Sequence, residues 1–190
     1  MKDVPSHRDR DKWNAKYGER TRPSFTAHRL VVRALSLPLP EGPVLDLACG
    51  PSGSALLAAA RGRRVIAVDI SEVALGLLGE EAARRGLDDL VTLVHADLRV
   101  WRPRPSGCSL VLCTGYWDRE LFAAAAEAVR PGGALVWEAF TLEARRDRPH
   151  LPAAWCLGPD EPASLLPAGF TVADDLPPGA AKRGILAQRT

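Results

Sequence analysis

From Val44 onward, short apolar runs alternate with amphipathic stretches. Val44-Leu45-Asp46-Leu47, Arg64 to Asp69, Leu90 to His95, Ser109 to Cys113 and Ala134 to Phe140 read as five strands. Ser52 to Arg61, a stretch capped by Ser71 and running to about Arg85, and about Asp118 to Val129 read as the helices between them. Pro131-Gly132-Gly133 turns the chain into the fifth strand. Near-continuous apolar strands interleaved with helices predict a parallel sheet covered on both faces, and right-handed crossovers make it a doubly wound α/β domain. Residues 142–162, rich in Arg and Pro, read as a loop or flap, and a short helix follows near Glu161–Leu166. Phe170–Leu176 and Lys182–Arg189 flank Pro177-Pro178-Gly179, so the sheet is expected to finish in an antiparallel hairpin.

Upstream, residues 1–23 are polar and punctuated by Trp13 and Tyr17; they read as an arm or short helix. Ser24 offers an N-cap to a helix from Phe25 to Leu35, and the stretch Pro38 to Pro43 stops it. Residues 24–190 are expected to form one domain.

Composition narrows the function classes. With 46% hydrophobic and 25% charged residues, the chain of 190 residues is globular in kind. Its longest uncharged apolar run, Leu121 to Ala126, is far short of a membrane span, and Met1 to Pro5 shows no signal-peptide core. A cytoplasmic protein is expected. Cys49, Cys108, Cys113 and Cys156 contain no CxxC pair and the four histidines are dispersed, so no metal site is expected. Residues 1–35 hold nine Lys/Arg against four Asp/Glu, but the signs alternate as in Arg8-Asp9-Arg10-Asp11-Lys12. This is a solvated arm, not a nucleic-acid footprint.

The chemistry concentrates at Val44 to Gly53. A strand runs into a small-residue loop that opens a helix, where Gly50 and Gly53 permit close approach to backbone N–H groups. Read as AxGxxG, Ala48 to Gly53 approaches a dinucleotide fingerprint. Asp46, however, would repel a diphosphate and welcome an ammonium or sulfonium cation. Asp69 ends the second strand, where a carboxylate accepts from both hydroxyls of a ribose and has few protein partners.

With these residues in place, the sequence resembles the class I S-adenosylmethionine-dependent methyltransferases over about residues 10–141. Leu45-Asp46-Leu47-Ala48-Cys49-Gly50 is similar to the family's first motif, Asp69-Ile70 to its ribose-binding acid, and His95-Ala96-Asp97-Leu98 to the segment that meets the adenine. Leu112-Cys113-Thr114 is similar to the end of the fourth strand, and Arg130-Pro131-Gly132-Gly133 to the turn into the fifth. The resemblance implies a Rossmann-like, mostly parallel seven-stranded sheet of order 3-2-1-4-5-7-6. It also implies S-adenosylmethionine as cofactor, held by Asp46, Ala48, Cys49, Gly50, Asp69, Ile70, Asp97, Leu98, Cys113 and Thr114. The arm Asp11 to Tyr17 is similar to the W-x-x-x-Y arm of small tellurite-resistance and thiopurine methyltransferases, which implies that Trp13 and Tyr17 cover the cofactor.

Gly115-Tyr116-Trp117-Asp118-Arg119 lacks the acidic-proline-aromatic-aromatic pattern of enzymes that methylate amides or nucleobases. A small-molecule acceptor is expected, with a soft nucleophile (thiol, metalloid or similar) favoured because no side chain is clearly placed as a base. His28, Tyr116, Trp117 and Arg119 are candidate substrate residues, and Glu138 and His150 also reach the mouth. Tyr116 and Trp117 have core packing as their competing role, and Arg119 has pairing with a nearby carboxylate. His95 reads as a satisfied core histidine, and Trp101 and Trp155 as packing residues. Two alternatives stay open, a nicotinamide-dependent oxidoreductase and a non-catalytic S-adenosylmethionine-binding protein. The expected assembly is a monomer or homodimer.

Overall fold

A computed structural model describes residues 6–19, 23–175 and 181–190. Strands β1 (Val44–Leu47), β2 (Val65–Asp69), β3 (Val91–His95), β4 (Cys108–Thr114), β5 (Val129–Phe140), β6 (Phe170–Asp175) and β7 (Lys182–Arg189) form one sheet. Its order is β3-β2-β1-β4-β5-β7-β6. The first five strands pair in parallel, while β5/β7 and β6/β7 are antiparallel. This is the doubly wound architecture and strand order expected. The two strands of the terminal hairpin are present, and the Pro177-Pro178-Gly179 turn lies outside the described residues.

Alternation along the strands divides the core. Leu45, Leu47, Val111, Cys113, Leu135 and Trp137 face α5 (Arg119–Ala128). Val44, Val65, Ala67, Leu110, Leu112 and Val136 face α2 (Arg29–Ala34), α3 (Gly53–Ala60) and α4 (Glu72–Arg84). Helix α1 (Ser6–Gly18) packs against α4. No helix among the described residues is long and apolar enough to cross a membrane.

Several local expectations change. Ser24 caps nothing; its hydroxyl meets Thr26 Oγ1, and α2 starts later with His28 as N-cap, whose Nδ1 accepts from Leu30 N. Ser24 loses because residues 23–28 cross the start of α3 without regular structure, and a Cβ on Gly53 would lie 2.2 Å from the Phe25 carbonyl oxygen. The fifth strand begins at Val129, paired with Cys108, and carries Pro131-Gly132-Gly133 within it at a register shift. Cys108 likewise extends the fourth strand. The helix near Glu161 shrinks to a single 3-10 turn, Ala163–Leu165. His95 is no core residue: β3 is an edge strand, so its side chain stays 48% exposed and its Nε2 bonds the Ile70 carbonyl oxygen at 2.9 Å.

Candidate functional site

The carboxyl ends of β1, β2 and β4 converge on one loop. Leaving β1, the chain passes through Ala48 at φ +49° and Gly50 at φ +56°, then enters α3 with Ser52 as N-cap. The two left-handed residues fold the loop back over the strand ends.

Asp46 lies beneath this loop, 1% exposed, and accepts from Ser52 Oγ at 2.6 Å. Burial, with the nearby Asp69 charge adding to it, pushes its carboxyl up to about 7, although the Ser52 hydroxyl opposes the shift. Asp69 is 5% exposed. Its Oδ2 accepts from Gly50 N and its Oδ1 from Ser71 N, both at 2.8 Å. Burial raises its pKa, and those backbone donors pull against it. The expectation of few protein partners for Asp69 is therefore corrected, since it bolts the β1 loop to the start of α4. Ile70 N also faces this carboxylate, which keeps acceptor capacity beyond its backbone donors for a ribose hydroxyl.

The arm reaches this loop. Asn14 Oδ1 accepts from Ser71 Oγ at 2.6 Å, and Arg10 pairs with Glu72. Trp13 and Tyr17 stack at 5.8 Å between centroids, as their four-residue spacing requires. The Tyr17 hydroxyl lies over Gly50, and Lys12 Nζ sits 4.8 Å from the Trp155 ring centroid. Trp155 therefore contacts the arm as well as packing. The sequence pattern alone does not mark Asn14, Ser71, Arg10 or Glu72 as site residues. The one usable signal was Asn14 itself, one of only two side-chain amides in the chain, set between Trp13 and Tyr17.

Asp97 and Leu98 follow β3. Arg99 grips the Asp97 carboxylate, with Nη2 at 2.8 Å, and lies 3.4 Å from Asp9 of the arm. Leu98 is buried in the α5-side core. Cys113 is buried at the end of β4, with Thr114 beside it in register with Glu138. Ile70 lends its carbonyl to His95, and burial pushes the Cys49 and Cys113 thiols well up.

The candidate acceptor residues differ in what they touch. Trp117 is 2% exposed and packs edge-on against Trp137, so most of its ring serves the core. Arg119 is paired with Glu161, Nε to Oε1 at 2.7 Å. His28 Nε2 meets Glu138 Oε2 at 2.8 Å while Lys182 holds Oε1 at 2.7 Å. Against the burial that raises it, these two donors bring Glu138 down to about 2. Since His28 Nδ1 accepts at the helix cap, Nε2 carries the proton toward Glu138, and both ring nitrogens are engaged. His150 is exposed. The four cysteines are free, and no cluster of three or more His, Cys, Asp or Glu among the described residues is arranged to hold a metal.

Residues 44–133 match the protein family described as a methyltransferase domain. The chain is similar to a probable cobalt-precorrin-6B C(15)-methyltransferase (decarboxylating) of Methanothermobacter thermautotrophicus, at 27% identity over 125 residues. That alignment covers 65% of this chain and 65% of the relative's length. Among solved structures, geranyl diphosphate C-methyltransferase from Streptomyces coelicolor, in complex with S-adenosyl-L-homocysteine, superposes at a TM-score of 0.72. The identity is 13%, with 98% of this chain and 99% of that chain covered. Magnesium protoporphyrin IX methyltransferase from Synechocystis PCC 6803 with bound SAH gives 0.70 at 18% identity, covering 96% and 98%. At these identities the structural matches establish the fold.

Proposed function

We propose that the chain is an S-adenosylmethionine-dependent methyltransferase acting on a small molecule. The observation that carries this reading is Asp69, locked by Gly50 N and Ser71 N at the carboxyl edge of the sheet, within the segment that matches the methyltransferase-domain family. Asp69 receives the ribose hydroxyls of the cofactor, Asp46 faces its cationic end, and Asp97 and Leu98 border the adenine. Ala48, Cys49, Gly50, Ile70, Cys113 and Thr114 line the floor. Trp13 and Tyr17 close the arm over it, in the manner of the small tellurite-resistance and thiopurine enzymes; the contact of Tyr17 with Gly50 supports this kinship.

When bound, the cofactor supplies a methyl group already activated on sulfur. The protein's part is to align the nucleophile and exclude water, tasks that suit the arm and the residues after β4. His28 and Arg119, the side chains nearest to a base or an anion clamp, are committed to Glu138 and Glu161. A soft nucleophile, thiol or metalloid, needs little base assistance and is favoured. Tyr116, Trp117, Arg119 and His28 border the acceptor. The similar proteins act on chemically diverse small molecules, in keeping with a fold whose specificity lives in its loops. Free thiols fit a cytoplasmic monomer or homodimer.

Calorimetry with S-adenosylhomocysteine and NADH, followed by turnover of S-adenosylmethionine against a thiol and metalloid panel, tests the reading. Binding of NADH alone would return the oxidoreductase alternative. Binding of S-adenosylhomocysteine without turnover of any acceptor would leave a cofactor-binding protein.

A further inference from the structure

Beyond the cofactor loop, a cavity of about 330 Å³ opens between the segment after β4 and the 3-10 turn Ala153–Trp155. Tyr116, Trp117, Ala154 and Trp155 form its apolar walls, and Arg99, Asp118, Arg119 and Glu120 its polar ones. It lies beside two residues expected to border the cofactor, since Tyr116 follows Thr114 by two positions and Arg99 grips Asp97. The arm reaches the same place, with Lys12 over the Trp155 ring and Asp9 beside Arg99.

The charged side chains that line this cavity are engaged within the protein, and Lys12 at its edge lies over the Trp13 and Trp155 rings. Arg119 is bidentate to Glu161, at 2.7 and 2.9 Å, and Arg99 is bidentate to Asp97. Asp118 caps α5 by accepting from Leu121 N at 2.7 Å. Glu120 is 88% exposed and turns to Arg102. A charged ligand would shed its hydration against lining groups that are already engaged, while Lys12 stays exposed to water at the edge. Hydrogen-bonding capacity does remain. Burial pushes the Tyr116 hydroxyl up to about 12, so it stays protonated and can donate to a ligand at the wall it forms. The volume lies at the small end of ligand pockets, enough for one or two rings.

We infer that this cavity is the acceptor site and that it takes a planar, uncharged acceptor stacked between Tyr116 and Trp155, which within the soft-nucleophile class means an aromatic thiol and not a metalloid oxyanion. The word acceptor rests on the methyltransferase reading; the ligand chemistry of the cavity does not, and the two fail separately.

The test titrates the full chain with 2-naphthol (planar, neutral), 2-naphthoate (planar, anionic) and decahydro-2-naphthol (neutral, saturated), with and without S-adenosylhomocysteine. 2-Naphthol is expected to bind at least tenfold more tightly than either analogue. Trp155→Leu is expected to weaken it roughly three- to tenfold, the usual worth of an aromatic pair, and Trp155→Phe to restore most of the loss. Equal binding of the saturated analogue, tighter binding of the anion, failure of 2-naphthol to bind, or an affinity unmoved by Trp155→Leu overturns the proposal. If 2-naphthol behaves as expected while S-adenosylhomocysteine does not bind, the cavity stands and the methyltransferase reading falls. The converse leaves that reading intact and removes this one.

Discussion

The Tyr17 hydroxyl occupies the space that a side chain on Gly50 would need, since a Cβ there would lie 2.8 Å from it. The arm and the β1 loop are thus fitted to each other through the absence of one methyl group. Gly50→Ala meets two penalties, this clash and the φ of +56°, which costs an L-residue about 1–2 kcal/mol. Tyr17→Phe removes the hydroxyl and leaves the ring carbon Cζ at 3.3 Å. The double variant should therefore recover part of the loss in cofactor affinity caused by Gly50→Ala, while the backbone strain persists. Strictly additive affinities in the four-member cycle would show that the arm does not act through this contact.

Asp69 serves two sets of donors, and its variants should register both. Asp69→Ala removes the charge-assisted bonds to two ribose hydroxyls, each worth about 1.5–3 kcal/mol, so affinity for S-adenosylmethionine should fall by roughly two to four powers of ten. It also strands Gly50 N and Ser71 N, so the melting temperature of the cofactor-free protein should fall as well. Asp69→Asn keeps one carboxylate-like oxygen and should lie between alanine and the parent on both scales. A fall in melting temperature with unchanged affinity would assign Asp69 to the scaffold alone.

These two sites differ in how far the sequence disclosed them. Asp69 ends an apolar strand and Asp46 stands next to last in another; strands buried on both faces announce themselves as near-continuous Val/Leu/Ile runs, and packing rules give the handedness of their connections, while the strand order comes from the family resemblance. The Gly50–Tyr17 contact joins residues that periodicity cannot connect, because it depends on where α1 lands on α4 through Asn14 and Ser71. His28 displaced Ser24 as a cap for a similar reason. Its ring is held from the far side by Glu138, 110 positions away in the chain. The 142–162 stretch showed no period because its three-residue and five-residue 3-10 turns are too short to have one. Trp155, inside it, gains its place from Lys12.

Ala48 holds φ +49°, a conformation that favours glycine. Ala48→Gly relieves that strain and forfeits the contact of one partly buried methyl group, worth at most about 0.8 kcal/mol. Strain relief of about 1–2 kcal/mol is offset by that methyl and by the roughly 0.4–1 kcal/mol of added unfolded-state freedom of glycine, so the melting temperature should stay close to that of the parent. A clearly lower melting temperature would show that the methyl packing outweighs the strain.

Asp46 makes the site sensitive to pH in two opposite directions. Its carboxyl titrates at about 7 in the folded chain against an ordinary 3.8, so between those values the folded chain holds a proton that the unfolded chain has lost. Stability from this group is therefore full below about pH 4, declines as pH rises toward 7, and levels off above. The melting temperature of the parent, taken relative to Asp46→Asn at each pH, should trace that decline. Affinity for the cationic cofactor should run the other way, because only the ionised carboxylate attracts it. With a pKa of about 7, roughly a tenth of the sites are ionised at pH 6 and half at pH 7. Affinity should thus rise about fivefold over that unit, below the range near 7.7–8.0 where an α-amino group loses its own proton. Asp46→Asn should bind more weakly at pH 7 and show no such slope. If parent and variant gave the same pH profile by calorimetry, Asp46 would be a structural acceptor for Ser52 and the cation would be held elsewhere.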